Sequence, residues 1–171
     1  MSAVVLALGT NLGDRSGTLA SALRCLRRVV SVRAISAVFS TAPVGGPPQP
    51  DYLNAVVLAD TTLAPADLLA ATQVIEAAHG RERNGRWGAR TLDIDLISYG
   101  DTDFGDEVVQ DDAVLTLPHP RAHQRAFVLA PWASVDPHAR LRTPDGRVSD
   151  VRDLLGQAAD RADVVALGDV L

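Results

Sequence analysis

The segment Thr91–Tyr99 alternates with little ambiguity: Leu92, Ile94 and Leu96 fall on one side, Asp93 and Asp95 on the other. Such a segment must be a strand with one face against an apolar layer and the other carrying two carboxylates. The rest of the chain supplies the sheet and the layer. Ala3–Leu8 is a short apolar run stopped by Gly9, which reads as a first strand, and residues 9–14 are a turn cluster. Leu19, Ala22, Leu23, Leu26 and Val30 then recur at helical spacing, predicting an amphipathic helix over roughly Ser16–Val29. Val32–Ser40 and Tyr52–Ala59 read as strands. Between them, Ala42–Pro50 carries four prolines and two glycines in nine positions and is a stiff loop. Pro65 suits the first turn of a second helix that runs to Gly80. The order is β-α-β-β-α-β, an α+β class with a ferredoxin-like antiparallel sheet flanked by helices. Asp101–Asp112 reads as a surface excursion. Ala122–Ala133 and Asp150–Ala159 read as C-terminal helical additions, followed by a short apolar run Val164–Leu167.

At 171 residues, with 47% hydrophobic and 22% charged positions, the chain is expected to be one domain spanning 1–171 with a sizeable core. Cys25 is the only cysteine, so no internal disulfide is available and a reducing, cytoplasmic setting is expected. No basic leader and no apolar stretch of membrane-spanning length is present, so no membrane association is expected; neither is an oligomer, and a monomer is the expectation. The net charge of −5 argues against bulk binding to nucleic acid. All sixteen basic residues are arginine. The absence of lysine excludes a P-loop lysine and Schiff-base chemistry, so any phosphate must be held by arginine, backbone amides or a metal.

Against that acidic background, Arg81, Arg83, Arg86 and Arg90 crowd around a single Glu82 immediately before Asp93 and Asp95. Aspartate is disfavoured in strands. Two on one face, about 7 Å apart along the backbone, repel unless a cation or arginines intervene. Mg²⁺ is suited to that role, since it takes one or two carboxylates and completes its shell with water and phosphate. Arginines beside such a pair match a metal-bound polyphosphate. Other candidates are weaker. Cys25 lies on an apolar helical stripe and reads as core packing. His119 and His123 are four apart but lack further zinc ligands, and Gly9–Gly13 lacks the spacing of a phosphate loop. Tyr52 and Asn54 share a strand face beside the stiff loop, where tyrosine can stack on a planar heterocycle and asparagine can read its edge.

The run Arg86-Trp87-Gly88-Ala89-Arg90-Thr91-Leu92-Asp93-Ile94-Asp95-Leu96 resembles the signature of the 6-hydroxymethyl-7,8-dihydropterin pyrophosphokinase family of folate biosynthesis. Three further blocks agree in order and spacing: Ala7–Gly13; Ser40–Gly45 with Gln49–Ala55; and Leu117–Pro120 with Arg125–Phe127. The resemblance implies transfer of pyrophosphate from ATP to the hydroxymethyl group of the pterin, with AMP released and two Mg²⁺ ions held by Asp93 and Asp95. It implies a pterin slot of Thr41, Val44, Tyr52, Asn54 and Phe127. It assigns ATP contacts to Gln73, Glu76, Leu96, Thr116, His119 and Arg125. Arg83, Arg86 and Trp87, on the catalytic loop, would also hold the nucleotide. Arg81 and Arg90 would lie closest to the transferring group. The loops at 42–50 and 80–90 are expected to close over the substrates. Val114 stands where many members place a basic residue, and Pro120 where some have tyrosine. The alternative reading is a non-catalytic ATP- and metal-sensing module on the same fold. An RNA-binding domain is disfavoured, because the strand at Tyr52 lacks its aromatic-basic signature.

Overall fold

The computed structural model describes residues 1–43, 48–80, 91–103 and 105–170. Five segments build one side of the architecture: β1 (Ser2–Thr10), α1 (Arg15–Leu26), β2 (Ser31–Ile35), β3 (Ala37–Thr41) and β4 (Tyr52–Thr61). They are followed by α2 (Pro65–Ala78), β5 (Asp93–Tyr99), and the short strands β6 (Gln110–Asp111) and β7 (Thr116–Leu117). The C-terminal part holds α3 (Ala126–Val135), β8 (Arg140–Arg142), β9 (Val148–Asp150), α4 (Val151–Gln157) and β10 (Val164–Val170). The main sheet is antiparallel in the order β10-β3-β4-β1-β5, with β2 also on β4. The expected β-α-β-β-α-β order is therefore present as β1-α1-(β2, β3)-β4-α2-β5.

Strand parity sorts the core into two layers. Val4, Leu6 and Leu8 of β1, with Ile94 and Leu96 of β5, pack against Leu19, Leu23 and Leu26 of α1 and Leu68 and Ile75 of α2. The intervening Val5 and Val56, with Ile97, pack against Val128, Leu129 and Trp132 of α3 and Val151 and Leu154 of α4. A sheet covered on both faces explains why its central strands are apolar at nearly every position. Parity changes once in β5. Leu6 faces Leu96 but Val5 faces Ser98, so Ile97 is an extra residue, and Tyr99 returns to the α1/α2 side. Gly100 then turns the chain at φ +81, where any Cβ would collide with the backbone of Asp106.

The single strand expected over Val32–Ser40 is two, β2 and β3, paired in succession with β4. Ser36 is the joint. Its amide donates to the Val56 carbonyl and its hydroxyl accepts the Val56 N–H, each at 2.9 Å, so a side chain replaces one backbone partner in the ladder. The helix expected over Ala122–Ala133 is likewise interrupted: Ala122–Gln124 is a 3₁₀ turn, Arg125 is extended (φ −106°, ψ 101°), and α3 begins only at Ala126. The apolar run at Val164–Leu167 is part of β10, a full edge strand that pairs Val164 with Thr41 and Ala166 with Phe39. Among the described residues no helix is long and apolar enough to cross a membrane.

Ser36 is 2% exposed, and Ser36→Ala strips the buried Val56 N–H of its acceptor. The expected cost is about 1–3 kcal/mol, read as a lower urea midpoint at unchanged m-value.

Candidate active site

On the α3 side, α3 leaves part of the sheet uncovered, because it begins no earlier than Ala126. There the antiparallel register sets Ala7 opposite Asp95 and Gly9 opposite Asp93, with Asn54 on the other flank of Gly9. The two smallest side chains of the face thus lie between two carboxylates and an amide, and their size makes a hollow. Gly9 is a close-approach position, since a Cβ there would stand 3.1 Å from Asn54 Oδ1. The hollow is the floor of a cleft of about 580 Å³ lined by Thr41, Tyr52, Asn54, Asp93, Asp95, His119, Arg121, Gln124, Arg125 and Phe127 among others.

The cleft has two unlike ends. One is flat-walled. Tyr52, Phe127 and Pro43 line it, and the Asn54 amide nitrogen donates to Thr41 Oγ at 2.8 Å. That bond fixes the amide, leaving Oδ1 as the acceptor beside Gly9 and the Thr41 hydroxyl hydrogen to donate onward. The floor of the neighbouring loop is tied down by Asn11, 1% exposed, whose amide nitrogen donates to Gln49 Oε1 (2.8 Å) and the Pro50 carbonyl (3.1 Å).

The other end is charged. The Arg125 guanidinium stands 3.5 Å from Asp95 Oδ2 and lies over the Phe127 ring, 5.4 Å from its centroid. This bridges the two ends, an arrangement suited to a planar cation. His119 is held by two backbone bonds. Its amide donates to the Ile97 carbonyl at the β5 bulge (2.8 Å), and its Nδ1 accepts the Arg121 N–H (3.2 Å). The proton of the neutral ring therefore sits on Nε2, 3.9 Å from Asp95 Oδ2. Burial, then the nearby Arg125 charge, push the His119 pKa down to about 4. The ring is a neutral donor at physiological pH.

Of the residues singled out in the sequence, Asp93, Asp95, Thr41, Tyr52, Asn54, Phe127, His119 and Arg125 line this one cleft. Gln73, Glu76, Leu96 and Thr116 do not line the cleft. Gln73 is exposed on α2; Leu96 is 3% exposed in the α1/α2 layer; Thr116 donates its hydroxyl to Asp111. Glu76, 5% exposed, accepts the Ile94 N–H at 2.7 Å, so it ties α2 to β5 between the two aspartates. That bond also shows which way β5 presents its backbone. Ile94 turns its amide to the open edge, and by the period of two Leu96 turns its N–H and C=O there too. Val44, Arg81, Arg83, Arg86, Trp87 and Arg90, with the loop cores expected to close over the site, lie outside the described residues. Sequence reading missed Arg121, Gln124 and Asp160 as lining residues. The first two follow His119 in a turn with no periodicity, and Asp160 comes from a segment distant in sequence.

No three acidic, histidine or cysteine side chains among the described residues converge on a metal position. Asp93 and Asp95 offer hard oxygen donors in an open cleft, with room for water and ligand oxygens. That donor set fits Mg²⁺ and not zinc.

On one face of an antiparallel sheet covered by helices on both sides, a carboxylate pair stands beside an aromatic slot. The chain belongs to the 7,8-dihydro-6-hydroxymethylpterin-pyrophosphokinase family, which it matches over residues 5–137. It is 48% identical over 162 residues to the 2-amino-4-hydroxy-6-hydroxymethyldihydropteridine pyrophosphokinase of Mycobacterium leprae, covering 92% of this chain and 83% of the relative. Identity to the enzyme of the same name from Mycobacterium tuberculosis is 44% over 170 residues, covering 96% of this chain and 89% of that one. In fold it resembles the crystal structure of wild-type Plasmodium falciparum HPPK-DHPS, with a TM-score of 0.66 at 13% identity. That match covers 91% of this chain, which spans 44% of the Plasmodium polypeptide.

The His119 ring should titrate near pH 4 by NMR, not near the usual 6.5. Between those values the unfolded chain binds a proton that the folded one refuses, so stability falls as pH drops through the window. His119→Gln is expected to flatten that part of the stability profile.

Proposed function

We propose that this chain transfers the pyrophosphoryl group of ATP to the hydroxymethyl oxygen of 6-hydroxymethyl-7,8-dihydropterin, giving the pterin diphosphate and AMP. The observation that carries this reading is the union, in one cleft, of the slot formed by Thr41, Tyr52, Asn54 and Phe127 with the carboxylates of Asp93 and Asp95. A flat heterocycle in the slot would direct its substituent at the charged end. The rings of Tyr52 and Phe127 flank it; Asn54 Oδ1 accepts from its edge, and the Thr41 hydroxyl donates.

The hydroxyl oxygen bonds to the β-phosphorus as the bond from that phosphorus to the bridging oxygen of AMP breaks; the bonding pair leaves with AMP and the hydroxyl proton passes to water in the open cleft. Little covalent work falls to the protein, and positioning and charge compensation carry the catalysis. Asp93 and Asp95 would hold two Mg²⁺ ions, which when bound offset the triphosphate charge and polarise the hydroxyl. Arg125 keeps its guanidinium beside Asp95 and spans towards the ring slot. His119, kept neutral, donates from Nε2 without adding a charge that would compete for the carboxylates. Along the open edge of β5, the backbone donor and acceptor of Leu96 form a pair that matches an adenine edge, and α2 supplies Gln73 and Glu76 nearby. The resemblance adds Thr116, Arg83, Arg86 and Trp87 as nucleotide contacts and Val44 as a slot residue. It gives Arg81 and Arg90 the charge that develops as AMP leaves.

The deciding assay is AMP release with ATP, Mg²⁺ and 6-hydroxymethyl-7,8-dihydropterin. Wild-type protein is expected to form AMP only when the pterin is present, and Asp95→Asn to slow it on the order of 100-fold or more. ATP binding without any AMP would instead favour the sensing module. Gly9 tolerates a strand conformation without strain, so Gly9→Ala should fold normally. Its added methyl crowds Asn54 Oδ1, and the KM for the pterin is expected to rise about tenfold with kcat little changed.

A further inference from the structure

The family match ends at residue 137, yet the cleft does not. Ala159 and Asp160 line it as well, beside Arg125 and Phe127. Helix α3 has no side-chain cap of its own, because its boundary residue is Arg125 in an extended conformation. The first amide of the helix, Ala126 N–H, is taken by Asp160 from 34 residues downstream, with its two carboxylate oxygens at 3.0 and 3.2 Å. A carboxylate there is also favoured by the helix dipole. Ala126 lies between Arg125, which reaches Asp95, and Phe127, which walls the ring slot.

The same short segment grips the opposite wall. From Asp160 the chain makes a 3₁₀ turn, Arg161–Asp163, and enters β10, whose first residue Val164 pairs with Thr41. Thr41 is the residue that fixes the Asn54 amide. Four residues apart in sequence, Asp160 and Val164 therefore hold the two sides of the slot, one at the start of α3 and one at the end of β3.

We propose that residues 158–164 are a clasp that sets the width of the ring slot, with Asp160 as its positioning residue. The inference rests on the ring-binding reading of the slot given above. Asp160 need not touch the pterin; it acts through Arg125, Ala126 and Phe127. By reciprocity, if the clasp favours the ring-binding geometry, then ring binding must tighten the clasp.

Binding is measured on the 171-residue chain with Mg²⁺, an inert ATP analogue and 6-hydroxymethylpterin, and turnover on the same chain with ATP and 6-hydroxymethyl-7,8-dihydropterin. Asp160→Ala is expected to weaken pterin binding and raise the pterin KM about tenfold with a much smaller change in kcat. Asp160→Asn, which keeps an oxygen for the Ala126 N–H, should restore most of the loss, and Asp153→Ala, on the exposed side of α4 and outside the clasp, should behave as wild type. In the wild type, amide exchange at Ala126 and at residues 160–165 should slow when the pterin binds. This measurement decides the matter even if Asp160→Ala does not fold. Unchanged pterin affinity in a folded Asp160→Ala, or no added protection at Ala126 and 160–165, overturns the clasp. A wild type that binds no pterin at all would instead strike down the reading of the slot.

Discussion

The register between β1 and β5 governs this protein. With Ala7 against Asp95 and Gly9 against Asp93, both carboxylates stand on the α3 face while Ile94 and Leu96 enter the α1/α2 core. A slip of one residue would reverse every side chain, burying two aspartates among leucines and exposing the core set. The apolar layer therefore enforces the placement of the acids: burial of Val4, Leu6, Leu8, Ile94 and Leu96 holds the register that presents Asp93 and Asp95. Glu76 adds a second lock from the open edge by accepting the Ile94 N–H midway between the two acids. Thr10 adds a third. Its hydroxyl donates to the Thr91 carbonyl at 2.5 Å, joining the end of β1 to the approach of β5.

Charge at the site is arranged around the two acids of β5. Two carboxylates about 7 Å apart repel by about 2 kcal/mol at an effective dielectric near 20. Arg125 offsets part of this at Asp95 and is itself braced on the Phe127 ring. His119 contributes a hydrogen rather than a charge, because burial and Arg125 hold it neutral.

Where a segment's pattern was complete in itself, the sequence was readable. β1, β4, β5, α1 and α2 follow from apolar runs, alternation, helical spacing and the turn residues that bound them. The acids, Tyr52 and Asn54 stood out as polar residues in otherwise apolar strands. What escaped was decided between segments. Nothing in the run from Val32 to Ser40 announces that the Ser36 hydroxyl will stand in for a ladder carbonyl and divide the strand. The helical pattern over Ala122–Ala133 is continuous, and only the tertiary demand on Arg125 breaks it. β10 was legible only in part, because Gly168 and Asp169 interrupt its apolar run and its edge position leaves Val165 and Leu167 exposed. Asp160 looks like any surface acid until α3 is seen to start at its carboxylate.

That break at Arg125 explains why there is a cleft at all. A helix beginning at Ala122 and running straight would extend the α3 layer toward the sheet face above Ala7 and Gly9. Instead the 3₁₀ turn ends, Arg125 extends, and the helix starts late, so the apolar cover stops over Val5 and Val56. Along one continuous face of β1 the chain passes from buried Val5 through Ala7 to Gly9, and side-chain size falls as the cover recedes. Core and site are then two ends of a single sheet face, separated by where one helix is allowed to begin. The residues that fix that starting point belong to the active site as much as those that line it.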